Sequence, residues 1–245
     1  MNIISIIPAR MGSSRFPGKP LALINGIPMI QHVYEKVKKN KLITEVVVAT
    51  CDKKIFDFIK SIGGKVVMTS IKHKRASDRC YEALKYLEKK NKIKYDIVVM
   101  VQGDEPMVHP NMINDAVKPM IKNLKINIVN LISNIKNNSD YINPNFIKVV
   151  YDKDYNALYF SRSPIPNTKF NKKVKIKKQV CIIPFRRDFL IKYNKMQPTT
   201  LEKLESIDML RVLENGYKVK LFKTKYFSHA VDTKSDLRKV EKYLR

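Results

Sequence analysis

Three short runs rich in β-branched residues, 3–7, 46–49 and 97–101, are separated by stretches whose apolar residues recur at helical spacing. No other feature of the chain restricts its fold as much. The first helical face carries Ile30, Val33, Tyr34 and Val37, the second Ile55, Phe58, Ile59 and Ile62, and the third Cys80, Ala83, Leu84 and Leu87. A turn at Gly63 and Gly64 predicts a further strand at 66–68. Strands that alternate with helices pair in parallel, because each helix carries the chain back across the sheet, and both faces are then covered.

Beyond about residue 123 the pattern loosens. Runs at 147–150, 157–160 and 180–185 read as strands without intervening helices, followed by a helix over 200–214, a strand at 219–222 and a closing helix over 235–244. The expected fold class is therefore α/β, with a Rossmann-like, mostly parallel sheet flanked by helices and an inserted mixed β lobe over about 124–200. No internal repeat divides the chain, so residues 1–245 are expected to form a single domain.

Charge is the composition's most misleading property. The chain carries 48 Lys and Arg against 22 Asp and Glu, a formal charge of +26. An excess of that size suggests nucleic acid, but the lysines are spread over nearly every helix and loop, as at Lys36, Lys38 and Lys39 and again at Lys89, Lys90 and Lys92. Only the loop over 169–178, with six lysines, is locally dense. Solvated helix faces explain this distribution better than a nucleic-acid surface, and the charge also suits inward steering of anionic substrates. The apolar run at 3–7 is too short for a signal peptide or a membrane span, which predicts a cytoplasmic protein with no membrane partner. Cys51, Cys80 and Cys181 are odd in number and form no CxxC pair, so neither a disulfide framework nor a cysteine zinc site is expected.

In open α/β sheets ligands bind beyond the carboxyl ends of the strands, and three segments at such ends carry chemistry. The first, PARMGSSRFPGKP over 8–20, offers Gly12 and Gly18 for tight turns, the hydroxyls of Ser13 and Ser14, and the cations Arg10, Arg15 and Lys19. Backbone amides and cations on one loop suit a polyphosphate, although the segment matches neither GxxxxGK[ST] nor GxGxxG, and a basic surface loop has the same composition. The second, VQGDEP over 101–106, places Asp104 at the end of a buried strand, as a ligand for a hard divalent cation or as a turn aspartate. The third is VDT over 231–233, where Asp232 is a second metal ligand or a helix cap. Two carboxylates from distant strand ends sharing one Mg²⁺ would hold a triphosphate for displacement at its α-phosphorus.

Together with VVVATCD, NPNFIKVV, ALYFSRSPIP, RRDFL and LRVLENGY, these segments stand in the order found in the 3-deoxy-manno-octulosonate (Kdo) cytidylyltransferases, which the chain resembles along nearly its whole length. The resemblance implies a nucleotidyltransferase fold and a homodimer. The implied reaction is Mg²⁺-dependent formation of CMP-Kdo and pyrophosphate from CTP and Kdo, for lipopolysaccharide or capsule synthesis. It assigns Arg10 and Lys19, beside Pro8 and Ala9, to the triphosphate, and Asp104 and Asp232 to Mg²⁺. Arg10, Lys19 and Asp104 would carry the catalysis. Arg75, Ser77 and Asp78 fall in the stretch that surrounds the cytosine. Gln102 would serve nucleotide and sugar, and Arg162 would pair with the sugar carboxylate as a planar guanidinium allows.

Three departures fall in the base and sugar segments. Arg75-Ala76-Ser77-Asp78-Arg79 stands where the family reads SGTDR, Gln179 and Cys181 replace a histidine and a glycine, and Asp208-Met209 replaces Glu-Gln. Gln for His removes a titratable ring, and Met for Gln removes a donor and an acceptor. Two acceptors therefore remain open: Kdo itself, or a different 2-keto sugar acid or other acidic hydroxyl compound. A basic binding protein or an inactive paralogue is the competing class, and the intact VQGDEP and VDT segments argue against it. His32, His73, His109 and His229 lack zinc spacing and are expected in packing or loop roles.

Overall fold

The computed structural model describes residues 1–13, 15–169 and 175–244; Ser14 and residues 170–174 of the lysine-bearing loop lie outside the described residues. Strand β1 (Ile3–Ala9) leads through a long loop and a 3-10 turn (Lys19–Leu21) to the two-residue strands β2 (Leu23–Ile24) and β3 (Ile27–Pro28) and to α1 (Met29–Lys38). The alternation continues through β4 (Glu45–Thr50), α2 (Lys53–Ser61), β5 (Val66–Met68), α3 (Ala76–Asn91), β6 (Ile97–Val101) and α4 (Pro110–Lys122). The remainder comprises β7 (Val129–Asn134), α5 (Asn138–Ile142), β8 (Lys148–Tyr151), β9 (Ala157–Ser161), β10 (Lys177–Val180) and β11 (Ile182–Arg186). It ends with α6 (Arg187–Lys195), α7 (Thr200–Glu205), α8 (Asp208–Glu214), β12 (Lys220–Lys223) and α9 (Lys234–Tyr243).

The first sheet has the order β11-β6-β1-β4-β5, with β6, β1, β4 and β5 parallel and β11 antiparallel at its edge. Every residue of β1 and β6 is buried, as expected of central parallel strands covered on both faces. One face packs Ile7, Val48 and Val99 against α1, α2 and α4, and the other packs Ile4, Val98 and Met100 against α3, α6 and α8. The second sheet, β12-β7-β10-β8-β9, is mixed: β12 runs parallel to β7, and the other pairs are antiparallel. Its membership does not follow the span 124–200, because β12 joins it from outside while β11 leaves it for the first sheet. Among the described residues no helix is long and apolar enough to cross a membrane.

Two elements differ from the sequence expectation. The run at 180–185 is two strands in different sheets, broken at Cys181, whose carbonyl accepts from Gln102 N–H (3.2 Å) and whose N–H donates to Glu105 Oε1 (3.3 Å). The apolar period continues through the break, so the periodicity alone does not show it. The helix at 200–214 is likewise two helices. Ser206 takes a left-handed backbone conformation (φ 54°) and donates its N–H to Glu202 O, which closes α7 before α8 begins.

A third apolar cluster joins Phe16 from the loop after β1 to Val231 and to Val240 of α9, and so ties that loop to the chain's last helix. Thr233 is the N-cap of α9, and its hydroxyl accepts from Asp236 N–H (3.2 Å). Asp236 Oδ2 in turn accepts from Thr233 N–H (2.9 Å) and Asp232 N–H (3.3 Å), while Oδ1 faces His229 Nε2 at 3.1 Å. Burial works against ionisation of Asp236, but these hydrogen bonds outweigh it and hold the carboxyl at about 2, below its ordinary 3.8. A depressed carboxylate stabilises the fold fully above its unfolded titration range, and the contribution is lost as pH falls through the folded value. Asp236→Asn should therefore lose about 2 kcal/mol at neutral pH. In urea denaturation the gap to wild type should close between about pH 4 and pH 2; a gap that stays constant with pH would contradict this account.

Candidate active site

The loop after β1 is folded back on itself. Met11 O accepts N–H groups from Ser13 (2.9 Å) and Gly18 (3.1 Å), and Met11 N–H donates to Asp52 Oδ2 (2.9 Å) at the end of β4. Gly18 adopts φ 75°, a conformation that strains side chains other than glycine, whereas Gly12 needs no such freedom. The return delivers Lys19 to the carboxyl edge of the sheet. Gly103, just past β6, allows a close approach between strands, since a Cβ there would stand 3.0 Å from Pro8 O. Asp104 follows it directly.

Val231 N–H donates to Asp104 O (2.9 Å), so the chain leading into α9 is bonded to the chain leaving β6. Asp232 is not the helix cap, since Thr233 has that role, and its side chain is free to face Asp104. The ammonium of Lys19 lies 2.7 Å from Asp104 Oδ2 and 3.6 Å from Asp232 Oδ1, and Arg15 Nη2 reaches Asp232 Oδ1 at 2.8 Å. Burial pushes the Lys19 ammonium down, but the charges of Asp104 and Asp232 more than reverse this and raise it. Burial and the like charge of Asp104 raise Asp232. Among the described residues no cluster of three or more His, Cys, Asp or Glu forms a protein-only metal cage. Two convergent carboxylates with open sides are instead the donor set Mg²⁺ uses when phosphates and water complete its shell.

Two cavities meet at this pair. The first, about 390 Å³, is lined by Pro8, Ala9, Arg10, Lys19, Arg75, Gln102, Asp104 and Asp232, with Arg15, His73, Lys74 and Arg79 adding cationic or polar edges. The second, about 310 Å³, is lined by Arg162, Gln179, Asp208 and Met209 and shares Arg10, Arg75, Gln102, Asp104 and Asp232 with the first. Residues expected from the sequence to hold phosphate and those expected to hold a sugar acid thus fall in adjoining cavities with a common carboxylate wall.

Ser77 and Asp78 line neither cavity. Ser77 is buried and donates its hydroxyl to Asp208 Oδ2 (2.8 Å), while Asp78 accepts from Asn194 Nδ2 (3.1 Å) and faces Arg211 Nη1 at 4.0 Å. Their side chains turn toward α6 and α8. Gln179 donates its amide to Asn130, and Met209 is buried. Arg162 donates Nε to Glu205 O (2.7 Å), Nη1 to Pro144 O (2.9 Å) and Nη2 to Ser206 O (3.4 Å). That leaves two of its five N–H groups for a ligand. Burial, then the nearby Arg15, lowers its pKa. Asp208 is raised by burial, against the opposing pull of Arg75 and the Ser77 hydroxyl.

Several residues at the cavities were not singled out from the sequence, although Asn145 and Glu105 lie in the segments NPNFIKVV and VQGDEP. Asn145 accepts from Arg15, and Ser206 lies at the junction of two helices expected as one. Lys178, in the wall of the second cavity, donates to Ser228 O (3.0 Å), and Glu105 Oε2 accepts from Ser228 Oγ (2.5 Å). His229 turns to Asp236 and does not line either cavity.

The cytidylyltransferase family profile matches residues 4–223. A 3-deoxy-manno-octulosonate cytidylyltransferase of Geobacter metallireducens is 44% identical, over 98% of this chain and 96% of that protein. The enzyme of the same name from Geobacter sulfurreducens is 43% identical, with both chains fully covered. A solved structure of CMP:2-keto-3-deoxy-manno-octonic acid synthetase complexed with CTP superposes with a TM-score of 0.89 at 36% identity, covering 100% of this chain and 98% of that one. A 4-diphosphocytidyl-2C-methyl-D-erythritol synthase from Anaerococcus prevotii, 16% identical with a TM-score of 0.66, shares the fold. Matched along its whole length in sequence and in structure, this chain belongs to the 3-deoxy-manno-octulosonate cytidylyltransferase family.

Proposed function

We propose that this protein transfers the cytidylyl group of CTP to Kdo, giving CMP-Kdo and pyrophosphate. The observation that carries the reading is the meeting of Asp104 and Asp232 at Lys19, on the wall common to a cation-rich cavity and the cavity that adjoins it. The first cavity takes the nucleotide and the second the sugar acid. Relatives of this name along the full chain support the choice of substrates.

Arg10 and Lys19 bind the triphosphate, and Arg15 crosses from the phosphate loop to Asp232 and Asn145. Asp104 and Asp232 would hold Mg²⁺, which when bound neutralises charge on the transferring phosphoryl group. Lys19 is hydrogen-bonded to Asp104 and lies beside both carboxylates, which places its ammonium where the phosphates and the cation would meet. The sugar's anomeric hydroxyl gives its proton to solvent water and forms a bond to the α-phosphorus, while the bond from that phosphorus to the bridging oxygen breaks and pyrophosphate leaves. Arg162, with two N–H groups uncommitted, orients the sugar carboxylate. We further propose that the enzyme works in the cytoplasm as a homodimer and that its product enters lipopolysaccharide or capsule synthesis.

A second reading, a different 2-keto sugar acid as acceptor, is favoured by the second cavity's wall. Gln179 gives one amide N–H to Asn130, and Met209 offers no hydrogen-bond donor. Pyrophosphate release from CTP, measured across a panel of sugar acids, decides between them. Kdo should give the highest kcat/KM, release should stop without Mg²⁺, and no release with any acid would overturn the enzyme reading. Asp104→Asn should lower kcat by on the order of 10²–10³-fold, the scale of losing one preorganised charge-stabilising group. Its melting temperature should stay close to wild type, and retained turnover would remove Asp104 from the site.

A further inference from the structure

Arg75 lines both cavities, yet its guanidinium is committed to the protein. Nη1 donates to Ser206 Oγ (2.8 Å) and Nη2 to Glu202 O (3.2 Å), while Nε stands 3.3 Å from Glu202 Oε1 and 3.7 Å from Asp208 Oδ1. All these partners belong to α7, α8 or the break between them. The backbone at Arg75 is extended (φ −109°, ψ 150°) at the N-cap of α3, so the side chain projects from the nucleotide cavity's rim across to that break.

The break is gripped from its other side by Arg162, which donates to Glu205 O and Ser206 O and whose own N–H donates to Glu205 Oε2 (2.8 Å). Ser206 therefore receives one arginine on its hydroxyl and another on its carbonyl. Its left-handed conformation disfavours a serine with no outside support, and the two arginines supply that support. Arg75 reaches the acceptor side by two routes: through Ser206 to Arg162, and directly to Asp208, which Ser77 of the same segment also holds.

We propose that Arg75 is a positioning residue for the acceptor: a strut from the nucleotide cavity's rim that sets the α7–α8 break and, through it, Arg162 and Asp208. The assignment rests on the proposed function for its substrates. Glu202 does not depend on the strut for charge balance, since Arg211 pairs with it through Nε (2.7 Å) and Nη2 (2.6 Å), whereas Asp208 loses the nearby guanidinium on removal of Arg75 and keeps the Ser77 hydroxyl.

Steady-state kinetics of wild type, Arg75→Ser and Arg75→Lys test this, with calorimetric CTP binding and hydrogen exchange over residues 202–208. Arg75→Ser should raise KM for Kdo by about tenfold or more, the scale of one charge-assisted hydrogen bond, and change CTP affinity by less than about twofold. Exchange over 202–208 should speed up, and Arg75→Lys should recover part of both effects. Weakened CTP binding with an unchanged KM for Kdo would overturn the proposal, because Arg75 would then read the nucleotide. Unchanged KM and exchange would overturn it equally. If wild type releases no pyrophosphate with Kdo, the proposed function fails, and the exchange measurement still decides whether Arg75 sets the break.

Discussion

One backbone hydrogen bond, from Val231 N–H to Asp104 O, brings together two segments separated by about half the chain. Without it the carboxylates of Asp104 and Asp232 would belong to unrelated loops. Its supports are on both sides: Gly103 lets the chain leaving β6 pass close to Pro8, and Asp236 fixes the backbone that carries Asp232. Phe16 packs against Val231 and seats the cation-bearing loop over the same place. A partly buried pair of like charges is costly unless compensated, and Lys19 and Arg15 compensate it. The same cations are those that a triphosphate would recruit.

The second cavity exists because the chain changes sheets at Cys181. The antiparallel edge strand β11 completes the first sheet, β10 lies in the second, and the space at the switch opens beside Asp104. Its far wall is the broken helix pair α7–α8. Nucleotide and acceptor sides are thus joined by the carboxylate wall and by the contacts of Arg75 and Arg162 with Ser206.

Elements dictated by local periodicity were legible in the sequence: β1, β4 and β6, the faces of α1, α2 and α3, and the strand-end location of Arg10, Lys19 and Asp104. Features decided by tertiary contacts were not. The break at Ser206 needs a serine in a conformation that Arg75, at the N-cap of α3, and Arg162, just past β9, hold in place, and no glycine or proline marks it. Cys181 interrupts a run whose apolar period is unbroken. Helix α4 contains Pro119 in its interior, a residue that argues against a helix when only the sequence is read. In the site, Thr233 and not Asp232 caps α9, and the spacing of the sequence does not say which of the two neighbours takes that role. Ser77 and Asp78 sit in the right segment, but helical geometry turns them toward α6 and α8.

The central claim is that Asp104 and Asp232 act together on one cation that the nucleotide shares. Calorimetric CTP binding with and without Mg²⁺, in wild type and Asp232→Asn, measures this directly. Mg²⁺ should tighten CTP binding to wild type by about tenfold or more and leave the variant's affinity nearly unchanged. Full Mg²⁺ enhancement surviving in Asp232→Asn would contradict the account.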